Sequence, residues 1–337
     1  MDKDSILKYL GYGFLILASY DIVKYTYPII KSNYNKIPII KKNIEKEKEQ
    51  YTTSLKAELN KEIQGNKLYT QIPEINMKEE DINIIFDKLK KLQSYDINKG
   101  RVSGMVYFNN PKLDNYLNKQ FLTFFRSNPL HTDTFPALRK MEAEIVEMIK
   151  NLFNGGSQTC GSFTSGGTES IMLACKTYRD WGNSMGIINP EIIVSNTAHA
   201  SYKKAASYFK IKLVEIPSKE DGLYDINKLK KIINSNTVMV VASAPSYNLG
   251  LIDQINEINN IVLENNIGFH LDACLGSFLL NFIDDLNIDF RLEGITSISA
   301  DLHKFGGAPK GASVILYKNK DLMKYQYFID EKWTGGI

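Results

Sequence analysis

"TVMVVASAPSYNLGLIDQINEINNIVLENNIGFHLDA", residues 237–273, decides the fold. Its first seven residues are almost all apolar, the mark of a parallel strand buried on both faces. "IDQINEINNIVLENN" (252–266) reads as a helix, and "IGFHLDA" (267–273) returns to a strand. The same alternation extends in both directions. Upstream lie the strand "EIIVS" (191–195), the helix "ASYKKAASYF" (200–209), the strand "IKLVEI" (211–216) and the helix "DINKLKKIIN" (225–234), with Asp225 as its N-cap. Downstream, "ITSISA" (295–300) and "ASVILYK" (312–318) are strands. Strands alternating with helices specify an α/β fold, a mostly parallel sheet covered on both sides. No internal repeat is visible.

In such sheets ligands gather beyond the carboxyl ends of the strands. The conspicuous polar residues fall there: His199 after the strand at 191–195, Asp272 at the end of 267–273, and His303 and Lys304 just after "ITSISA". "TSGGTESIMLACKTYRDW" (164–181) adds a second element. Gly166 and Gly167 let the backbone approach a ligand, and Thr168 opens a helix whose free N–H groups attract an anion. Without the GK[ST] ending of a P-loop, the segment does not suit a nucleoside triphosphate. Each feature alone has an ordinary reading, as a turn, a cap, a structural histidine or a surface lysine. A lysine in a small-residue loop, an acid at a strand end, an imidazole and an anion cradle together describe a pyridoxal 5'-phosphate site.

Bulk composition narrows the classes. The 337 residues suffice for one large or two medium domains, and 43% hydrophobic with 23% charged residues is ordinary globular usage. A net charge of +3 and the lack of a basic-aromatic patch argue against nucleic acid. Cys160, Cys175 and Cys274 have no CxxC spacing and no metal-ligand spacing with the four histidines, so they read as packing residues in a reducing compartment. Residues 1–100 hold 17 Lys+Arg against 14 Asp+Glu, while the remaining 237 balance at 24 against 24.

The surplus follows an apolar run, "YLGYGFLILASYDIV" (9–23), too short to cross a bilayer comfortably unless extended to Ile30. Seven lysines against two glutamates between Lys24 and Lys48 form a basic skirt of the cytosolic type. The expected organisation is a membrane anchor over 1–35, a basic linker and helical segment over 36–100, and a cofactor-binding large domain over 101–337. A surface-lying helix is the alternative to a span.

From about residue 65 onward the chain resembles the sphingosine-1-phosphate lyase family, related to the group II decarboxylases. The similar segments are "GRVSGMVY" (100–107), "NPLHTDTFPALRKMEAEIV" (128–146), "TSGGTESIMLA" (164–174), "TAHASYKKAASYF" (197–209), "SAPSYNLGLID" (243–253), "HLDACLGSFLL" (270–280) and "TSISADLHKFGGAPKGASVILY" (296–317). The resemblance implies an aspartate-aminotransferase-like large domain (pyridoxal-phosphate fold type I). Family members continue past the closing "WTGGI" (333–337), so a C-terminal small domain is expected to be missing.

Carried over by position, Lys304 would form the Schiff base, His199 would stack on the ring, and Asp272 would pair with the pyridine nitrogen. Gly166, Gly167, Thr168 and His303 would hold the cofactor phosphate. Tyr107, Asn128, His131 and Lys310 would face the phosphate of a sphingoid-base substrate. The implied reaction is retro-aldol cleavage of C2–C3 to a long-chain aldehyde and phosphoethanolamine. Attachment to the endoplasmic reticulum membrane with a cytosolic catalytic domain is implied as well, and a homodimer if the chain is complete. Two alternatives stay open: an amino-acid decarboxylase on the same fold, and an inactive membrane-associated remnant.

Overall fold

The computed structural model describes residues 38–63, 69–92, 99–100, 102, 104–283, 286–330 and 332. The chain divides into two compact units, residues 1–96 and 97–337. In the first unit, α1 (Pro38–Ile63) is long and charged, and its residues 45–58 are exposed. Helix α2 (Glu79–Lys90) places Glu79, Glu80 and Asp81 in its first turn and Lys88 and Lys90 in its last, matching the helix dipole at both ends. The apolar run at 9–30 lies outside the described residues. Among those described, no helix is long and apolar enough to cross a membrane.

The second unit opens with α3 (Pro111–Phe124) and α4 (Pro136–Leu152), each with proline at its first position, where a missing N–H costs nothing. The Asn110 side chain caps α3 by accepting from the Lys112 and Leu113 amides. There follow β1 (Cys160–Thr164), α5 (Gly167–Ser184), β2 (Glu191–Ser195), α6 (Ser201–Phe209), β3 (Lys212–Ile216), α7 (Ile226–Ile232), β4 (Thr237–Ser243), α8 (Ile255–Asn265), β5 (Gly268–Asp272), β6 (Ser297–Asp301), β7 (Ser313–Tyr317) and the short α9 (Lys320–Met323). The strands form one seven-stranded sheet in the order β1-β7-β6-β5-β4-β2-β3. Five strands, β2 to β6, run parallel, whereas β7 is antiparallel to both its neighbours.

All residues of β2, β4, β5, β6 and β7 are buried, as their apolar runs require. Two cores flank the sheet. Phe269, Leu271, Ile298, Val314 and Leu316 pack with Ile149 and Phe153 around α4, Leu229 of α7, and Ile258 and Val262 of α8. On the other face, Met239, Val241 and Tyr317 pack with Ile171, Ala174, Cys175 and Tyr178 of α5, Tyr202 and Ala205 of α6, and Leu322 and Met323 of α9. The apolar residues of α5 recur at helical spacing, so a single stripe faces the sheet.

Strand β1 is absent from the sequence reading. "CGSFT" has no apolar alternation, and as an edge strand it is only half-buried. Its direction is the same as that of the parallel set, so Thr164 ends at the rim where Ser243, Asp272 and Asp301 end. Helix α5 therefore begins above that rim.

Candidate active site

A cavity of about 370 Å3 opens at this rim, lined by Gly166, Gly167 and Thr168 from the start of α5, by His199, and by Ser243, Asp272, Cys274, Asp301, His303 and Lys304. Residues more than 100 positions apart in the chain meet because β1, β2, β4, β5 and β6 all end on the same edge. A second space of about 420 Å3 shares His303 and Lys304 as its wall and is otherwise lined by Tyr107, Phe108, Leu117, Pro309, Lys310 and neighbours. The two lysines therefore separate: Lys304 lines both spaces and Lys310 only the outer one.

Lys304 Nζ lies 3.0 Å from Asp301 Oδ2, with side-chain exposures of 17% and 2%. Burial disfavours the Lys304 ammonium, but Cys274, Asp301 and Asp272 outweigh it and hold the pKa above the ordinary lysine value. His303 Nδ1 accepts from the Ala312 amide at 3.1 Å, which turns Nε2 toward Asp301 Oδ2 at 3.5 Å. Burial, with Lys310 and Lys304 nearby, lowers the His303 pKa despite the opposing pull of Asp301.

Asp301 was not among the residues singled out in the sequence, and it touches two that were. Its Oδ1 is buried without a hydrogen-bond partner. Replacing it should change the titration of its partner. Because Asp301 raises the Lys304 pKa, Asp301→Asn should release the neutral amine at lower pH. In stopped-flow mixing of the chain with pyridoxal phosphate, the midpoint of the pH–rate profile is expected to move down, because the carboxylate that favours the ammonium is gone. An unmoved midpoint would show that Asp301 does not set the amine's protonation.

Asp272 is 6% exposed at the floor of the cavity. It accepts from Tyr202 Oη (3.3 Å), the Cys274 amide (3.2 Å) and Ser299 Oγ (3.5 Å), all neutral donors. No cation forms an ion pair with it among the described residues. A buried carboxylate without a counter-charge suits a ligand that brings a cationic N–H. His199 stands at the side, its Nδ1 accepting from the Ser201 amide at 3.2 Å and lying 2.8 Å from Ser201 Oγ, which in turn reaches Thr168 Oγ1 at 3.1 Å. The ring orientation is thereby tied to the start of α5.

At that start, Glu169 and Ser170 give their amides to Gly166 O, leaving the N–H groups of the cavity-lining Gly167 and Thr168 without backbone acceptors. A Cβ on Gly167 would lie 2.8 and 2.9 Å from the two Asp301 oxygens and 2.9 Å from Cys274 Sγ. Only glycine leaves this cradle open.

The proposed substrate-side residues divide. Lys310 Nζ sits 4.8 Å above the Tyr107 ring and donates to His303 O at 3.4 Å, while the Tyr107 hydroxyl donates to Gly104 O at 3.0 Å. Burial and the neighbouring Lys304 lower the Lys310 pKa. Asn128 and His131 are not brought to this place. Both are exposed in the turn between α3 and α4, where Asn128 Oδ1 accepts from the Leu130 amide at 3.0 Å, and neither lines either cavity.

Residues 73–333 match the pyridoxal-dependent decarboxylase conserved domain. The chain belongs to the pyridoxal-dependent decarboxylase family. Among its relatives, sphingosine-1-phosphate lyase 1 of Rattus norvegicus is 48% identical over 261 residues, covering 75% of this chain and 46% of the rat protein. The sphingosine-1-phosphate lyase of Saccharomyces cerevisiae is 39% identical over 311 residues, 89% of this chain and 53% of its own length. A solved Burkholderia pseudomallei sphingosine-1-phosphate lyase superposes with a TM-score of 0.77 at 33% identity, covering 81% of this chain and 66% of that one. Lactobacillus brevis glutamate decarboxylase, at 19% identity and a TM-score of 0.70 over 80% of this chain and 64% of that one, shares the fold. The chain spans about half the length of the curated relatives it matches.

The cofactor of this decarboxylase-family domain is pyridoxal 5'-phosphate, and the residues present fit it. The uncompensated Asp272, the open Gly167 cradle and the amine at Lys304 match the ring nitrogen, phosphate and aldehyde of that group.

Proposed function

We propose that the protein is a pyridoxal-phosphate-dependent aldehyde lyase that cleaves phosphorylated sphingoid bases between C2 and C3, giving a long-chain aldehyde and phosphoethanolamine. The observation that carries this reading is the pairing of spaces around one wall: an inner cavity fitted to the cofactor and an outer one bearing Lys310. When bound, pyridoxal phosphate supplies an electron sink for the pair released as the C2–C3 bond breaks.

The chain's own residues hold and orient. Lys304 would hold the aldehyde carbon of the cofactor covalently, and Asp272 would keep the ring nitrogen protonated. The His199 ring, tied through Ser201 to Thr168, would lie against one face of the cofactor ring. The free amides of Gly167 and Thr168 and the His303 imidazole would take the cofactor phosphate. Lys310, backed by Tyr107, supplies a cation for the substrate phosphate, a dianion at neutral pH.

Two further readings accompany the activity. The apolar run at 9–30 and its basic skirt support attachment to the endoplasmic reticulum membrane with the catalytic domain in the cytosol, where a lipid substrate would be met. A homodimer is supported by α3, whose Tyr116, Phe121 and Leu122 are exposed together with the following Phe125. In such a pair Asn128 and His131, distant from their own cavities, would serve the neighbouring site.

The activity is tested by incubating the full chain and pyridoxal phosphate with sphinganine 1-phosphate, and separately with glutamate. Aldehyde and phosphoethanolamine in equal amounts are expected from the first, and no carbon dioxide from the second. Carbon dioxide without aldehyde would move the protein to the amino-acid decarboxylases. Absence of both, with no visible absorbance from bound cofactor, would make it a non-catalytic chain.

A further inference from the structure

The two faces of β5 and β6 differ in kind. Toward α4, α7 and α8 they present Phe269, Leu271, Ile298 and Ala300, all apolar. Beneath α5 they present His270, Asp272, Ser297, Ser299 and Asp301, exposed by 0, 6, 0, 0 and 2%. Polar groups buried in the middle of a sheet are costly unless bonded to one another. The strand register sets His270 beside Ser297 and Asp272 beside Ser299.

These side chains form a continuous run ending on the cofactor-site carboxylate. The Tyr178 hydroxyl, from α5, lies 2.9 Å from Ser297 Oγ, and Ser297 Oγ lies 2.8 Å from His270 Nδ1. His270 Nε2 lies 3.3 Å from Ser299 Oγ, which reaches Asp272 Oδ1 at 3.5 Å. Gly268 makes room for the run, since a Cβ there would strike the Tyr178 ring.

The direction of the run follows from its end. A carboxylate can only accept, so the Ser299 hydrogen points to Asp272. The oxygen of Ser299 is then an acceptor facing His270, which requires the imidazole proton on Nε2. His270 Nδ1 consequently accepts from Ser297. Burial lowers the His270 pKa to about 4, so a neutral ring with a single N–H is the form present. One imidazole tautomer thus satisfies Ser297, His270 and Ser299 together and aims their hydrogens toward Asp272.

We propose that His270 is a positioning residue for Asp272, its Nε2–H fixing the Ser299 hydroxyl that orients the carboxylate toward the cofactor's ring nitrogen. This rests on the assignment of Asp272 to that nitrogen.

Two amide substitutions separate positioning from packing. Glutamine places its amide near Nε2 and keeps a donor for Ser299, whereas asparagine reaches only the Nδ1 side and keeps the contact to Ser297. With the full chain, cofactor affinity is read by fluorescence titration, and the ratio of the bound cofactor's visible to near-ultraviolet absorbance is read alongside. His270→Asn and Ser299→Ala are each expected to weaken binding about tenfold, the worth of one charge-assisted hydrogen bond, and to shift the absorbance ratio alike. His270→Gln should stay within about threefold of the parent, and the H270N/S299A double variant should bind no more weakly than S299A.

Equal behaviour of the glutamine and asparagine variants, or losses that multiply in the double variant, overturns the proposal. Ser299→Ala trims one oxygen, and parental affinity in that variant overturns it even where a His270 variant fails to fold. Asp272→Asn is measured in parallel. Parental affinity and absorbance in that variant would remove the assignment of Asp272 itself, whereas a loss there with none in S299A refutes only the role of His270.

Discussion

Lys304→Ala is expected to abolish the visible absorbance that the chain acquires with pyridoxal phosphate, and to lower turnover by at least about a thousandfold. Among the described residues, Lys304 is the one lysine that lines the inner cavity. Its ammonium is held in place by Asp301 at 3.0 Å, whereas Lys310 lines only the outer space. Lys310→Ala supplies the contrast. It should retain the absorbance and raise the KM for the phosphorylated substrate about tenfold, the usual loss for one charge-assisted contact. Spectra of the two variants with added cofactor, and steady-state kinetics of the second, read out both. Loss of absorbance in Lys310→Ala with retention in Lys304→Ala would reverse the roles given to the two lysines.

The second large effect is expected from a single methyl group. Gly167→Ala introduces a Cβ within 2.9 Å of three atoms, both oxygens of Asp301 and the sulfur of Cys274. Those side chains are 2% and 5% exposed and cannot swing out of the way. The start of α5 must move instead, carrying the Gly167 and Thr168 amides away from the phosphate. Cofactor affinity is expected to fall by more than about tenfold, and stability by about 1–3 kcal/mol. Gly156→Ala, where nothing lies within 4 Å of the added Cβ, is the control and should change stability by no more than about 0.5 kcal/mol. Denaturant unfolding and fluorescence titration compare the two. Parental affinity in Gly167→Ala would show that α5 does not cradle the phosphate.

Much of this architecture was legible in the residues because burial on both faces writes itself as continuous apolar runs. "TVMVVAS" and "ASVILYK" could not be anything but interior strands, and β4 and β7 lie there. Asp272 and Lys304 were legible for a different reason, as polar residues at the points where such runs stop. The same signal was available for Asp301, which closes "ITSISAD", but the lysine three positions on drew the reading away from it. His270, Ser297 and Ser299 interrupt apolar strands at a spacing of two. That spacing marks one face of a strand, and only the register of β5 against β6 tells that the three meet. Edge strand β1 carried no pattern because all but its last residue are only partly buried, with no alternation between faces. Asn128 and His131 are the opposite case: motif similarity selects them, while their own fold leaves them at the surface.

A lysine able to bond an aldehyde is a liability in a protein whose proposed product is itself a long-chain aldehyde. The ion pair with Asp301 answers this. A protonated amine has no lone pair to offer, so in the cofactor-free chain the Lys304 nitrogen is masked from the proposed product and from other carbonyl compounds. The acid three residues before the lysine is in this respect a safety catch, released only for a ligand that brings enough binding of its own to displace it.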